Sequence, residues 1–193
     1  MSSEILRAKL LNLLLTDAVR KIDFVFGSFH VDFGGFMSVW SMVATGGIDV
    51  DVQPLSEKDA AGGYNYPTNK FLFPDEGFGT TPDQQSVLVH ESVHAMRDVR
   101  YHGGSEPRAT WAEDEATAYV AGALFKLNAF PQARRSTYPL FAQAYEIAGA
   151  VKDKPGAVVS DNDAKAMIAI IATEPDYVKK GMTFWKRSFA DGI

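Results

Sequence analysis

The chain has no cysteine among its 193 residues. That excludes a disulfide framework, suits a reducing compartment, and leaves His, Asp and Glu as the side chains able to hold a metal ion. Long apolar runs are also missing. The leucine-rich start, SSEILRAKLLNLLLTDAVRKI, is broken by Arg7, Lys9 and Asn12, and its longest uninterrupted apolar stretch is Leu13 to Leu15. It has neither the apolar core of a signal peptide nor the length of a membrane span. A cytoplasmic protein without membrane association is expected, although export without a classical signal leaves no mark of this kind. Basic residues cluster no further than the pairs Arg134-Arg135 and Lys179-Lys180, and the net charge is -5. Nothing here offers the electrostatic footprint of a nucleic-acid-binding protein. Histidine is scarce, with four in the whole chain.

A hydrophobic content of 46 % and a charged content of 22 % belong to an ordinary globular protein. The length is enough for one substantial core, so a single domain over 1–193 is expected. Ile5, Leu6, Leu10, Leu13 and Leu14 mark the apolar face of a first helix docked on that core. The stretch FVFGSFHVDFGGFMSVWSMVATGGIDVDVQP mixes aromatic and β-branched residues with glycines, which predicts short strands joined by tight turns. Lys70 to Phe73 reads as another strand, at a sheet edge. From Thr81 the period becomes helical. Thr80 or Thr81 can cap a helix with Pro82 in its first turn, and Val87, Leu88, Val93 and Met96 recur at helical spacing. Helices are also predicted over about Pro107 to Leu127, after the break at NAFPQARRST, behind Ser160 and Asp163, and from Pro175. The order is helix, short strands, then helices only, which predicts an α+β fold with helices at about 131–190.

Within the Thr81 helix stands HESVH. His90 and His94, four residues apart, share one helix face, where both imidazoles can reach one ion. A zinc ion with three protein ligands keeps a fourth position for water, acidifies it and polarises a carbonyl. Glu91 stands where it can take that water's proton and return it to a leaving amine. As ordinary residues of this largely buried helix, two imidazoles and a carboxylate would each carry a desolvation penalty. The third ligand is sought in TWAEDEATAYVAGALF. Thr110, Glu113, Asp114 and Thr117 form a stripe that reads as solvated. Trp111, Glu115, Ala118, Tyr119 and Gly122 form the apolar face opposite. Helix phase therefore favours Glu115, with Glu113 as the alternative, and the small residues Ala118 and Gly122 would let this helix approach the His90-His94 helix closely.

HESVH followed by a helical Glu in DEATAYVA resembles the gluzincin branch of the zinc metallopeptidases, over roughly Tyr64 to Phe125. The resemblance implies a minimal zincin-like domain of bacterial type, with a small N-terminal sheet over a two-helix metal site. It implies His90, His94 and Glu115 as zinc ligands and Glu91 as general base, acting on a peptide or protein substrate held along an edge strand. Two departures stand out. Twenty residues separate His94 from Glu115, against eighteen to Glu113 and nineteen to Asp114, and Tyr119 replaces the carboxylate that commonly follows the third ligand in thermolysin-like enzymes. Asp98 is a candidate partner for a ligand imidazole, or for Arg97 or Arg100. Tyr101 and His102 are candidates for the Tyr or His that gluzincins often direct at a substrate oxyanion. His30 reads as structural, and Tyr64 and Tyr66 as cleft-lining residues.

The leading expectation is thus a zinc metallopeptidase hydrolysing peptide bonds. The alternative is a catalytically silent zincin scaffold that binds a partner peptide, and a peptidase effector exported by another route is a third reading. Substrate and oligomeric state leave no trace in the sequence.

Overall fold

Ser3 accepts a hydrogen bond from the Leu6 amide and so opens helix α1, Glu4–Leu14, which turns Leu6, Leu10, Leu13 and Leu14 into the core. Ile5, expected on the same face, is exposed. In this computed structural model, residues 3–53, 62–101, 109–133, 136–175 and 177 are described. A short helix α2, Asp17–Arg20, leads to strands β1, Phe24–Phe26, and β2, Phe29–Val31, paired antiparallel around a turn at Gly27.

The next segment overturns a sequence expectation. Phe33–Thr45 is a helix, α3, rather than strands and turns. Asp32 caps it by accepting from the Gly35 amide at 2.7 Å, and Gly46, at φ 82°, closes it in the left-handed conformation that glycine adopts freely. Its buried residues Phe36, Val39 and Val43 fall at helical spacing. The β-branched and aromatic composition pointed to strands, but this period and the two caps decided the outcome.

Strand β3, Asp49–Val52, runs parallel to β5, Lys70–Phe73, and β4, Gly63–Asn65, lies antiparallel on the other side of β5. Lys70–Phe73 is therefore the central strand, and the edge nearest the HESVH helix is β4. The Tyr64 and Phe71 rings meet across the pair at 5.2 Å, tilted by 55°.

Helix α4, Pro82–Arg100, starts at a capping box in which Thr81 accepts from the Gln84 amide while the Gln84 side chain reaches back to the Thr81 amide. Helix α5, Trp111–Ala129, starts at a second box between Thr110 and Glu113. The two pack closely at Gly122. A Cβ there would lie 3.0 Å from the Ser86 carbonyl oxygen and 2.8 Å from its hydroxyl. Because the carbonyl belongs to helix backbone and cannot swing aside, Gly122→Ala is expected to cost about 1–3 kcal/mol, more than the roughly 0.5–1 kcal/mol alanine gains over glycine inside a helix. Urea unfolding measures this; an unchanged midpoint would contradict the close approach.

Helices α6, Pro139–Val151, and α7, Asp161–Thr173, follow. Between them Ala157–Val158 forms a short strand, β6, parallel to β1, so the second half is not purely helical as expected. Ser160 caps α7 through the Asp163 amide. Most of the helix expected from Pro175 lies outside the described residues. The fold is α+β, with seven helices and two three-stranded sheets among the described residues. One apolar cluster, including Phe24, Phe36, Phe71, Leu88 and Phe125, joins sheets and helices. No helix among the described residues is long and apolar enough to cross a membrane.

Candidate metal centre

Helix α4 contributes His90, Glu91 and His94, and α5 contributes Glu115 from the side on which Gly122 brings the helices together. The Nε2 atoms of His90 and His94 are 3.2 Å apart. Glu115 reaches both, with Oε2 3.3 Å from His90 Nε2 and Oε1 3.6 Å from His94 Nε2. Ligands on a tetrahedral ion with bonds of about 2.0–2.1 Å stand roughly 3.3 Å from one another. His90, His94 and Glu115 are spaced to that rule and can hold a metal ion. Glu113, the alternative ligand, instead accepts from the Thr110 amide at 2.6 Å and serves the helix cap.

Asp114 was expected on a solvated face and is fully buried. Its Oδ2 lies 2.8 Å from His94 Nδ1 and accepts from the Tyr66 hydroxyl at 3.0 Å, and its Oδ1 stands 2.9 Å from Arg97 Nε. Arg97 in turn sits 4.0 Å over the Phe29 ring. A proton held at Nδ1 by Asp114 leaves the Nε2 lone pair of His94 aimed at Glu115 and His90, the orientation a metal ligand needs. Thr117, placed with Asp114 on the expected polar stripe, is buried as well, its hydroxyl donating to the Glu113 carbonyl. The stripe failed because α5 is buried on nearly every side, so helix phase does not divide wet from dry there.

Glu91 has a divided carboxylate. Oε2 accepts from the Tyr64 amide at 2.8 Å, while Oε1 lies 3.8 Å from His90 Nε2. Strand β4 thus fixes one oxygen and leaves the other on the ligand side. Tyr64 also donates through its hydroxyl to Asp98 at 2.7 Å, and Asp114 fills the place beside His94 that Asp98 was a candidate for.

Sequence reasoning missed Tyr177. Its hydroxyl donates to Glu115 Oε2 at 3.3 Å and lies 2.6 Å from the Tyr119 hydroxyl. The Tyr119 ring stands edge-on to His90 at 4.6 Å. No spacing rule joins residues this far apart in the chain. Tyr101 packs on Phe29 at 5.9 Å, and His30 bonds to Asp23 at 2.7 Å, away from the site. His102 lies outside the described residues.

The electrostatics favour a cation. Burial works against a charged His94, but the carboxylates of Asp114 and Glu115 outweigh it and raise the imidazole to about 10. Burial likewise opposes a charged Glu115, yet His94 and His90 hold its carboxyl well below the usual range. A metal ion would displace the His94 proton and meet the same two carboxylates. Burial first, and then the Glu115 charge, push the phenols of Tyr119 and Tyr177 upward, so both remain O–H donors. Side-chain exposure is 12 % for His90, 10 % for Glu91, 9 % for Glu115 and 4 % for His94, which leaves only a narrow approach. Searches against family models, curated proteins and solved structures found no match for this chain.

Proposed function

We propose that this chain is a zinc-dependent metallopeptidase of the gluzincin type, with His90, His94 and Glu115 as ligands and Glu91 as general base. The observation that carries this reading is the divided Glu91 carboxylate, tied to Tyr64 on one oxygen and directed to the ligand side with the other. Two imidazoles and one carboxylate, with no thiolate, form a donor set found in catalytic zinc sites. Zinc bound there supplies Lewis-acid polarisation of a carbonyl and an acidified water. With that ion held, Glu91 Oε1 would take a proton from water and return it to the leaving amine, while the Tyr64 amide keeps Oε2 in place. Asp114 keeps His94 in one tautomer. Strand β4 pairs on one side only among the described residues, and its Tyr64 amide turns away from the sheet to Glu91, so the edge on which an extended peptide would lie borders the site.

The test is cleavage of an unbiased peptide mixture by the zinc-loaded protein, abolished by chelation and restored by zinc. The narrow approach to the ligands favours a second reading, a silent zincin scaffold that holds a peptide. Tight binding of a peptide that stays intact on long incubation with zinc-loaded protein would select it.

A further inference from the structure

Glu115 is held from a direction that neither helix of the site provides. Beyond α7, Tyr177 lies against α5, its ring edge-on to Trp111 at 4.4 Å. Its segment is tied down a second time, where Glu174 accepts from the Tyr138 hydroxyl at 2.7 Å. The direction of the hydroxyl chain follows from proton counting. A carboxylate can only accept, so the single Tyr177 proton goes to Glu115 Oε2, and the short contact to Tyr119 must then be a bond donated by Tyr119 to the Tyr177 oxygen.

We propose that Tyr177 is a positioning residue for the third metal ligand: its hydroxyl, oriented by Tyr119, holds Oε2 and so fixes the rotation of the Glu115 carboxylate beside His90 and His94. This rests on the metal reading of the site. Partners of ligand side chains tune metal sites strongly, and their loss commonly lowers affinity by about tenfold to a hundredfold. By linkage, a bound ion also strengthens the docking of the Tyr177 segment by the factor through which that segment strengthens metal binding.

Cobalt(II) is the probe, because its visible absorption reports coordination number and geometry. Wild type, Tyr177→Phe and Tyr119→Phe are titrated with cobalt(II), and each metal-free protein is unfolded thermally. Tyr177→Phe keeps the ring against Trp111, so its metal-free midpoint should match that of wild type. Its cobalt affinity should fall by about tenfold or more, with an altered spectrum as the Glu115 carboxylate becomes free to rotate. Tyr119→Phe should move both readouts the same way but less. Unaltered affinity and spectrum in Tyr177→Phe would overturn the proposal, as would a lowered metal-free midpoint with an unaltered spectrum. Wild type that binds no cobalt would instead defeat the metal reading, and the proposal with it.

Discussion

Glu91→Gln is expected to keep the metal and to lose peptide hydrolysis by about a hundredfold to ten-thousandfold, the usual contribution of a positioned general base. The substitution is conservative in shape. A glutamine oxygen can still accept from the Tyr64 amide that holds Oε2 of Glu91 at 2.8 Å, so strand β4 and helix α4 stay in register. The other terminus becomes an amide nitrogen, whose lone pair is delocalised into the carbonyl and takes no proton from water. Glu91 is not among the three residues grouped as ligands, so zinc content should remain that of wild type. Turnover of a cleaved peptide together with metal content checks both halves. Hydrolysis at the wild-type rate would remove Glu91 from the mechanism, and loss of metal would make it a ligand.

The largest effect on stability is expected at Asp114. This carboxylate is fully buried and faces His94, Arg97 and Tyr66 at once. Asp114→Ala removes the negative member of a buried pair whose positive member, Arg97, has a side chain only 3 % exposed. Breaking a buried pair in this way costs about 3–5 kcal/mol, more than the pair contributes over an apolar replacement, because the remaining charge stays desolvated. At about 2–4 °C per kcal/mol for a chain of this size, the unfolding midpoint should fall by roughly 10 °C. His94 also loses the acceptor that fixes its tautomer, so zinc affinity should drop about tenfold to a hundredfold. Asp114→Asn separates the two effects, since an amide oxygen can still accept from Nδ1 while the charge opposite Arg97 is gone. Calorimetry and competitive zinc titration read the two losses. Wild-type zinc affinity in Asp114→Ala would show that Asp114 does not orient His94.

Much of this site was legible before the fold was known, for reasons of local chemistry. Thr81 and Pro82 start a helix and the apolar residues behind them keep its period, so His90 and His94 had to share a face. Glu115 stood out as the charged residue in an apolar stripe, and it is the carboxylate that approaches both imidazoles. The helical stripe misled one position earlier, because it assumed that α5 has a wet side. Asp114 lies in the packed contact with α4, where a carboxylate persists by facing partners rather than water. Tyr177 gave no signal, since its role depends on a hydrogen bond across 62 residues of chain. The α3 segment failed differently. Its Phe, Val and Trp residues raised strand propensity, while the Asp32 cap and the spacing of Phe36, Val39 and Val43 argued for a helix and prevailed. Composition is the weaker guide where period and capping agree.

The most direct measurement is the zinc content of the purified protein after loose metal is removed, for wild type, Glu115→Ala and Glu113→Ala. The expected result is one equivalent in wild type, retained in Glu113→Ala and lost in Glu115→Ala. Wild type that holds no metal even after zinc is supplied, or zinc lost with Glu113 and kept without Glu115, would contradict the centre built from His90, His94 and Glu115.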